Sequence, residues 1–336
     1  MVTIRDVANH LGISVSTVSR CLNNYPDISE ATRERIHQAM QELNYVPNAN
    51  ARSISQKQTY TVGLTIPDIQ DSFFAGNADG IEDILNKNGY DLIYGSLARS
   101  SKRLVDFLRR AREMRFDGII ITPDVWDQPL IEALNRLEMP VVVLRRKPPA
   151  GVELPYVDSD HYGAAREMME YLISLGHRKI GHIAFPTATC RERLAGYIDV
   201  MNKYGLEPRI AESRTSSGRL TESINNGRSA MAQLHRNNPD LTAVFAASDQ
   251  VAMGALEYLD KAGISVPGDI SVAGFDNMEY ADMHWFRLTT MALDRRESGR
   301  IAAGMLLKLI KKKVKRPQSV LLSPELVVRE STRTLK

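Results

Sequence analysis

The chain has 336 residues, 43% of them hydrophobic and 25% charged, which excludes disorder, collagen and membrane spans and fits two or three globular domains. Lys+Arg number 43 against Asp+Glu 40, and a net of +3 is too balanced to announce a polyanionic partner by itself. Cys21 and Cys190 are too far apart in sequence for a disulfide framework or a Cys-x-x-Cys metal or redox pair, so a reducing cytoplasm is the expected compartment.

The opening MVTIRDVANHLG meets Asp6 and Asn9 before an apolar run can form, so neither a secretory signal nor a membrane anchor is expected. Thr3 is placed to cap a helix with Asp6 as its third residue; Val7, Ala8 and Leu11 then share one face and Gly12 ends it. Ser14 opens a second helix, VSTVSRCL, with Val18 and Leu22 turned inward. Two short helices joined by a Gly-containing turn predict a helix-turn-helix over residues 4–23, with small Ala8 at the crossing. In that motif the second helix lies in the major groove, so Val15 and Ser16 face base edges and Arg20, one turn on, offers a fork to guanine or phosphate. A helical hairpin that binds protein is the alternative.

Ser29 caps a third helix whose Ile36, Ala39, Met40 and Leu43 form an inner stripe, stapled at its start by Ile28. After it, ANARSISQKQ is helix-permissive but has Ile54 as its one large aliphatic side chain. Such a segment folds on meeting a partner, and a lone aliphatic beside a DNA-binding head fits a minor-groove wedge.

Near residue 60 the pattern changes to short apolar runs alternating with helix-length stretches, the signature of parallel sheets built from βαβ units. One series of strands is expected at TVGLTI, YDLIYG, DGIIIT and PVVVL, and a second at KIGHIAF, TAVFAA, ISVAGF and SVLLS. Two such series predict two α/β lobes. Because open α/β sheets bind ligands beyond the carboxyl ends of their strands, the residues just past these runs are candidates. They are Asp68, Asp71, Phe73 and Phe74; Arg145 and Arg146; Thr187, Thr189, Arg191 and Arg193; Ser248 and Asp249; and Asp276. Aromatics with acids, arginines and hydroxyls suit a polar, ring-shaped metabolite. The run KLIKKKVKRP at 308–317 reads as a solvated helix end stopped by Pro317, in preference to a phosphate-binding patch.

The blocks TIRDVANHLGISVSTVSRCLNN, ATRERIHQAMQELNYVPNANARSI, YTVGLTIPDIQDSFFAGNADGIE, RERLAGY and SDQVAMGALEYLDKAGISVPGDISVAGFDN resemble the LacI/GalR family of bacterial transcription regulators, in family order. The resemblance implies an all-α helix-turn-helix DNA-binding head (1–46) and a hinge helix (47–58) that orders on the operator. It also implies an α/β periplasmic-binding-protein-like core of two doubly wound parallel-sheet lobes, at 59–158 plus 289–320 and at 159–288 plus 321–336. The implied partner is double-stranded operator DNA of near-palindromic sequence, bound by a homodimer through Thr3, Ser14, Val15, Ser16, Thr17, Ser19, Arg20, Asn23, Asn48, Ala51 and Ile54. A small effector is held by Asp71, Phe73, Phe74, Arg145, Thr189, Arg193, Ser248, Asp249 and Asp276. Arg193 matches an arginine that grips sugar hydroxyls, and Asp276 an acid that accepts from the ligand. Thr187 replaces the arginine of purine-responsive members, so a sugar or sugar acid is expected rather than a purine. Ser248 and Arg145 replace the asparagine and aspartate of sugar-responsive members. Arg145 either offers its fork to an anionic effector, turns to solvent, or pairs with Asp68 or Asp71.

No Walker loop, Gly-x-Ser-x-Gly or His-Glu-x-x-His occurs and the 7 histidines are scattered, so no enzyme, cofactor or metal is expected. The expected function is a cytoplasmic, sugar-responsive repressor of a carbohydrate-utilisation operon. One alternative is a catabolite-control regulator that binds a phosphorylated carrier protein, against which Met305 stands where an arginine is expected. Another is a sugar-processing enzyme with an appended head, against which stands the absence of a base and nucleophile pair. Trp285 and Phe286 are placed either to close the cleft mouth or to pack in a core or lobe interface. Residues 1–60 hold six cations (Arg5, Arg20, Arg33, Arg35, Arg52, Lys57) against five acids (Asp6, Asp27, Glu30, Glu34, Glu42), a net of +1, so phosphate contacts must come from individually placed groups.

Overall fold

The computed structural model describes residues 2–23, 25–46, 58–212, 220–315 and 317–335. The chain divides into two compact units, a head of Met1–Tyr60 with Arg115–Asp117, and a core formed by the rest.

The described part of the head holds helices α1 (Ile4–Leu11), α2 (Val15–Leu22) and α3 (Glu30–Glu42). At the start of α1 the Asp6 carboxylate accepts from the Thr3 N–H and hydroxyl, both at 2.8 Å, which holds its carboxyl below the ordinary range. Gly12 ends α1 with φ 65°, a left-handed backbone that disfavours a β-carbon. Ser14 restarts the chain as α2 by accepting from the Thr17 N–H at 3.1 Å. Val7, Ala8, Val18, Cys21, Ile36 and Ala39 form the small core, and Ile28 packs against it.

In the core, the described strands are β1 (Thr61–Ile66), β2 (Asp91–Ser96), β3 (Gly118–Ile121), β4 (Val141–Leu144), β5 (Tyr156–Ser159), β6 (Ile180–Ala184), β7 (Arg209–Glu212), β8 (Ala243–Ala246), β9 (Ser271–Asp276), β10 (Thr289–Ala292), β11 (Val320–Leu322) and β12 (Glu325–Val327). They form two six-stranded sheets, β11-β5-β4-β3-β1-β2 and β12-β10-β9-β8-β6-β7. Every pairing is parallel except β10 with β12. The runs GIII, VVVL and AVFA are buried throughout, as strands covered on both faces must be. The helices are α4 (Phe73–Lys87), α5 (Ser101–Glu113), α6 (Gln128–Asn135), α7 (His161–Ser174), α8 (Ala188–Lys203), α9 (Leu220–Asn237), α10 (Asp249–Lys261) and α11 (Arg295–Ile310).

Two lobe boundaries differ from those expected. Thr289–Ala292 pair with Ala273–Asp276 in the second sheet, so the chain leaves that lobe after Ala292 and not at Thr289. It then returns to the first lobe, where α11 packs on α4, β3 and β4 and β11 pairs with β5 as far as Leu322, beyond the expected limit at 320. Short strands such as TTMA and VLL carry no periodicity that says which of two sheets they join; pairing decides it.

Helix pairs in both lobes meet backbone to backbone. A β-carbon on Gly254 of α10 would lie 2.0 Å from the Ile224 carbonyl oxygen of α9, and one on Gly227 2.2 Å from that of Val251. In the first lobe Gly80 of α4 and Gly299 of α11 do the same, at 2.0 Å from Arg296 O and 2.1 Å from Asn77 O. Gly254→Ala must therefore push α9 from α10, and we expect a loss of about 1–3 kcal/mol in urea unfolding. An unchanged midpoint contradicts the close approach.

Candidate functional site

The carboxyl ends of strands from both sheets face a cavity that opens to solvent. Asp71, Phe73, Phe74, Arg145, Thr189, Arg193, Ser248 and Asp276 line it, together with Arg146 and Thr187. Thr187 and Ser248 also cap α8 and α10, accepting from the N–H groups of Cys190 and Val251 at 3.3 Å. The amino ends of both helices are thereby fixed at the cavity wall, where their dipoles favour negative charge.

Arg193 is 2% exposed, and its guanidinium donates to Asp276 Oδ1 at 2.9 Å and to the Ala247 carbonyl oxygen. It lies 3.7 Å from the Phe275 ring centroid, and its Nε is 3.4 Å from His161 Nδ1. Burial and the adjacent Arg193 push His161 well below its ordinary pKa, so the imidazole is a neutral acceptor. Phe73 and Phe74 meet edge to face at 5.6 Å, and the Arg145 guanidinium covers both, 3.9 Å from the first ring centroid and 4.8 Å from the second. Arg145 pairs with neither Asp68 nor Asp71; Arg99 takes Asp71 at 3.1 Å and also Asp124 at 3.3 Å.

Asp249 departs from expectation. It is fully buried behind the cavity wall, where its carboxylate accepts from the Thr290 hydroxyl at 2.6 Å and the Met278 N–H at 2.7 Å. As first residue of α10 its side chain turns back toward β10, into space left by Gly274, where a β-carbon would lie 2.4 Å from Asp249 Oδ1. Burial and the nearby Asp276 push it up to about 7. Trp285 is also misplaced by the sequence reading, since it is 87% exposed and does not line the cavity, while Phe286 packs on the second lobe's core. His177 and His182 are core residues, the first bonded to Thr242 and Arg333 and the second stacked at 5.0 Å on Tyr197.

Sequence reasoning missed Arg99, Thr122 and Asp124 in the lining. They lie just past β2 and β3, so reading beyond those two strands finds them by the same rule. Gln250 and Ser223 line the cavity as well, and their helical positions gave no such signal. Three charged lining residues hold positive φ, Arg99 at 57°, Arg145 at 67° and Asp276 at 110°. Each costs on the order of 1 kcal/mol or more, and such strain gathers where a side chain must be aimed.

In the head, Val15 and Ser16 are exposed at the start of α2, and Thr17 and Ser19 are half-buried. The Ser14 hydroxyl meets those of Ser16 and Thr17 at 2.7 and 2.8 Å. Arg20 is held by Asp27 at 2.6 Å and lies 5.3 Å from the Tyr25 ring centroid, while the Asn23 amide donates to the Ser19 carbonyl oxygen at 2.9 Å. Asn48, Ala51 and Ile54, with residues 47–57 of the expected hinge, lie outside the described residues.

Residues 3–48 match the bacterial regulatory proteins of the lacI family, and residues 169–332 a periplasmic binding protein-like domain. The HTH-type transcriptional repressor PurR of Vibrio atlanticus is 33% identical over 340 residues, covering 100% of both chains. The chain belongs to the LacI family. It is a DNA-binding transcriptional regulator of that family, with a helix-turn-helix head and a two-lobed α/β core. A lac repressor dimer bound to operator and the anti-inducer ONPF superimposes with a TM-score of 0.88 at 27% identity, over 99% of each chain. The complex of the transcriptional regulator CelR with cellobiose gives 0.72 at 30% identity, over 98% of this chain and 100% of that one. No helix among the described residues is long and apolar enough to cross a membrane.

The buried acid behind the cavity gives a pH test. Asp249 has a folded pKa of about 7 against about 4 unfolded, so its contribution to stability is complete below about 4 and lost as pH rises through 7. His182, depressed to about 3 by burial, works in the opposite sense below about 6.5. Removing the acid takes its falling contribution out of the profile and leaves the other groups as they were: Asp249→Asn should show unfolding free energy rising more steeply with pH from 4 to 7, or falling less, than the parent's does. Parallel profiles contradict the assignment.

Proposed function

We propose that this regulator is a homodimeric repressor of a carbohydrate-utilisation operon, acting in the cytoplasm on a near-palindromic operator and released by a sugar or sugar acid bound between the lobes. The observation that carries the reading is the cavity where the strand carboxyl ends of both sheets meet, lined by three charged residues of positive φ and an aromatic pair. A ligand there touches both lobes and so favours one lobe arrangement over another. If that arrangement is the one with poorer operator affinity, effector and operator oppose each other through linkage alone.

In this reading Ser14, Val15, Ser16 and Thr17 meet base edges and adjacent phosphates at the start of α2. Thr3, Ser19, Arg20 and Asn23 position the head on the backbone. Arg20 exchanges Asp27 for DNA, a trade favoured by the shallow desolvation of a half-exposed pair. Asn48, Ala51 and Ile54 belong to the hinge over 47–58, with Ile54 entering the minor groove. In the cleft, Arg193 and Asp276 bind ligand hydroxyls as a preset donor and acceptor, Phe73 and Phe74 pack the ring, and Asp71, Arg145, Thr189 and Ser248 complete the polar contacts. Asp249 holds the wall through Met278 and Thr290 rather than touching the ligand. The cellobiose in the CelR complex supports a sugar-sized occupant for this fold.

Gel shifts of the full-length protein on duplex DNA from upstream of its own gene test the hinge. Ile54→Ala should weaken binding roughly tenfold or more while leaving effector affinity of the free protein intact. Unchanged operator affinity excludes a minor-groove wedge at Ile54.

A further inference from the structure

We infer that the ligand of the cleft carries an anionic group, a carboxylate or a phosphate, and that Arg145 is the residue that receives it. The inference rests on the effector reading above and narrows it.

Four arginines line the cavity, Arg99, Arg145, Arg146 and Arg193, against the acids Asp71, Asp124 and Asp276, a lining excess of one positive charge. The acids are spoken for. Asp71 and Asp124 hold Arg99, and Asp276 holds Arg193. Arg146 donates to the Asp124 carbonyl oxygen. Among the described residues the Arg145 guanidinium makes no hydrogen bond and no ion pair within 4 Å.

Arg145 is nonetheless not adrift. Its backbone is held at φ 67° at the end of β4, and its charged plane lies 3.9 Å from the Phe73 ring centroid. Phe73 and Phe74 are 6% and 3% exposed, so the platform under it is fixed. Contact with a ring satisfies the face of a guanidinium and leaves its in-plane N–H groups without acceptors. Those groups form the fork that fits two oxygens of a carboxylate or phosphate side by side. A neutral sugar hydroxyl offers one acceptor and no charge, and leaves most of that fork unanswered. The amino ends of α8 and α10, capped at the wall by Thr187 and Ser248, add positive potential on the second lobe's side.

The test is calorimetric titration of the full-length protein with D-gluconate, D-glucuronate, D-glucose 6-phosphate, inorganic phosphate, D-glucose and cellobiose, repeated on Arg145→Gln and Arg145→Lys. At least one acid should bind the parent protein about tenfold or more tighter than its neutral counterpart. Arg145→Gln should abolish that preference, and Arg145→Lys, which keeps the charge but not the fork, should retain part of it. Preference for the phosphate ester over the carboxylates assigns a phosphate, and the reverse a carboxylate. The parent's acid-to-neutral ratio needs no variant, so a folding defect in either substitution leaves the test intact. A neutral sugar bound equally by the parent and by Arg145→Gln overturns the anion assignment and leaves the cleft reading standing. Silence toward all the acids at millimolar concentration overturns it too, and silence toward the neutral sugars as well takes the cleft reading with it.

Discussion

A parallel sheet covered by helices on both faces has its polar opportunities at one end. Its strands are buried runs such as GIII and VVVL, its flanks are taken by helices, and every crossover returns the chain so that strand carboxyl ends and helix amino ends fall together. This chain builds two such sheets and turns those ends toward each other, so the side chains that follow the strands share one cavity. The glycines where α4 meets α11 and α9 meets α10 keep the helical cover tight, which leaves the strand ends as the place where charged groups can be held at the edge of water.

The electrostatics of that cavity follow from the same arrangement. Arg193 could not be buried without Asp276, the Ala247 carbonyl and a neutral His161 around it. Arg99 is balanced by two carboxylates. Asp249, enclosed next to Asp276, is driven toward its neutral form while two donors hold it in place. Arg145 differs from these in having aromatic support without an acid in contact, with Asp276 and Asp71 attracting it from further off.

Much of this was legible in the sequence, because the signals were local. The helix caps at Ser14 and Ser29, the left-handed stop at Gly12 and the inner stripe of α3 specify the head within a few residues of where each acts. Buried strands announce themselves as apolar runs, and the residue after a strand end is a ligand candidate by topology alone. What stayed hidden depends on long-range partners. Sheet membership of TTMA rests on pairing with Ala273–Asp276, the inward turn of Asp249 rests on the missing side chain at Gly274, and the Asp71 carboxylate stands in direct contact with Arg99 while Arg145 acts on it from beyond ion-pair distance. The low net charge of residues 1–60 acquires a physical counterpart in the head, where Arg20 is already occupied by Asp27. Operator contacts must then be won by exchange and by placement, not by a basic surface.

In the proposed function, ligand in the cleft and operator on the head are coupled by one free energy. The direct measurement is the affinity of the cleft ligand for the full-length protein, free and saturated with operator duplex, alongside operator affinity without and with ligand. Operator should weaken ligand binding by the same factor by which ligand weakens operator binding. Equal ligand affinity for the free and the operator-bound protein would contradict it.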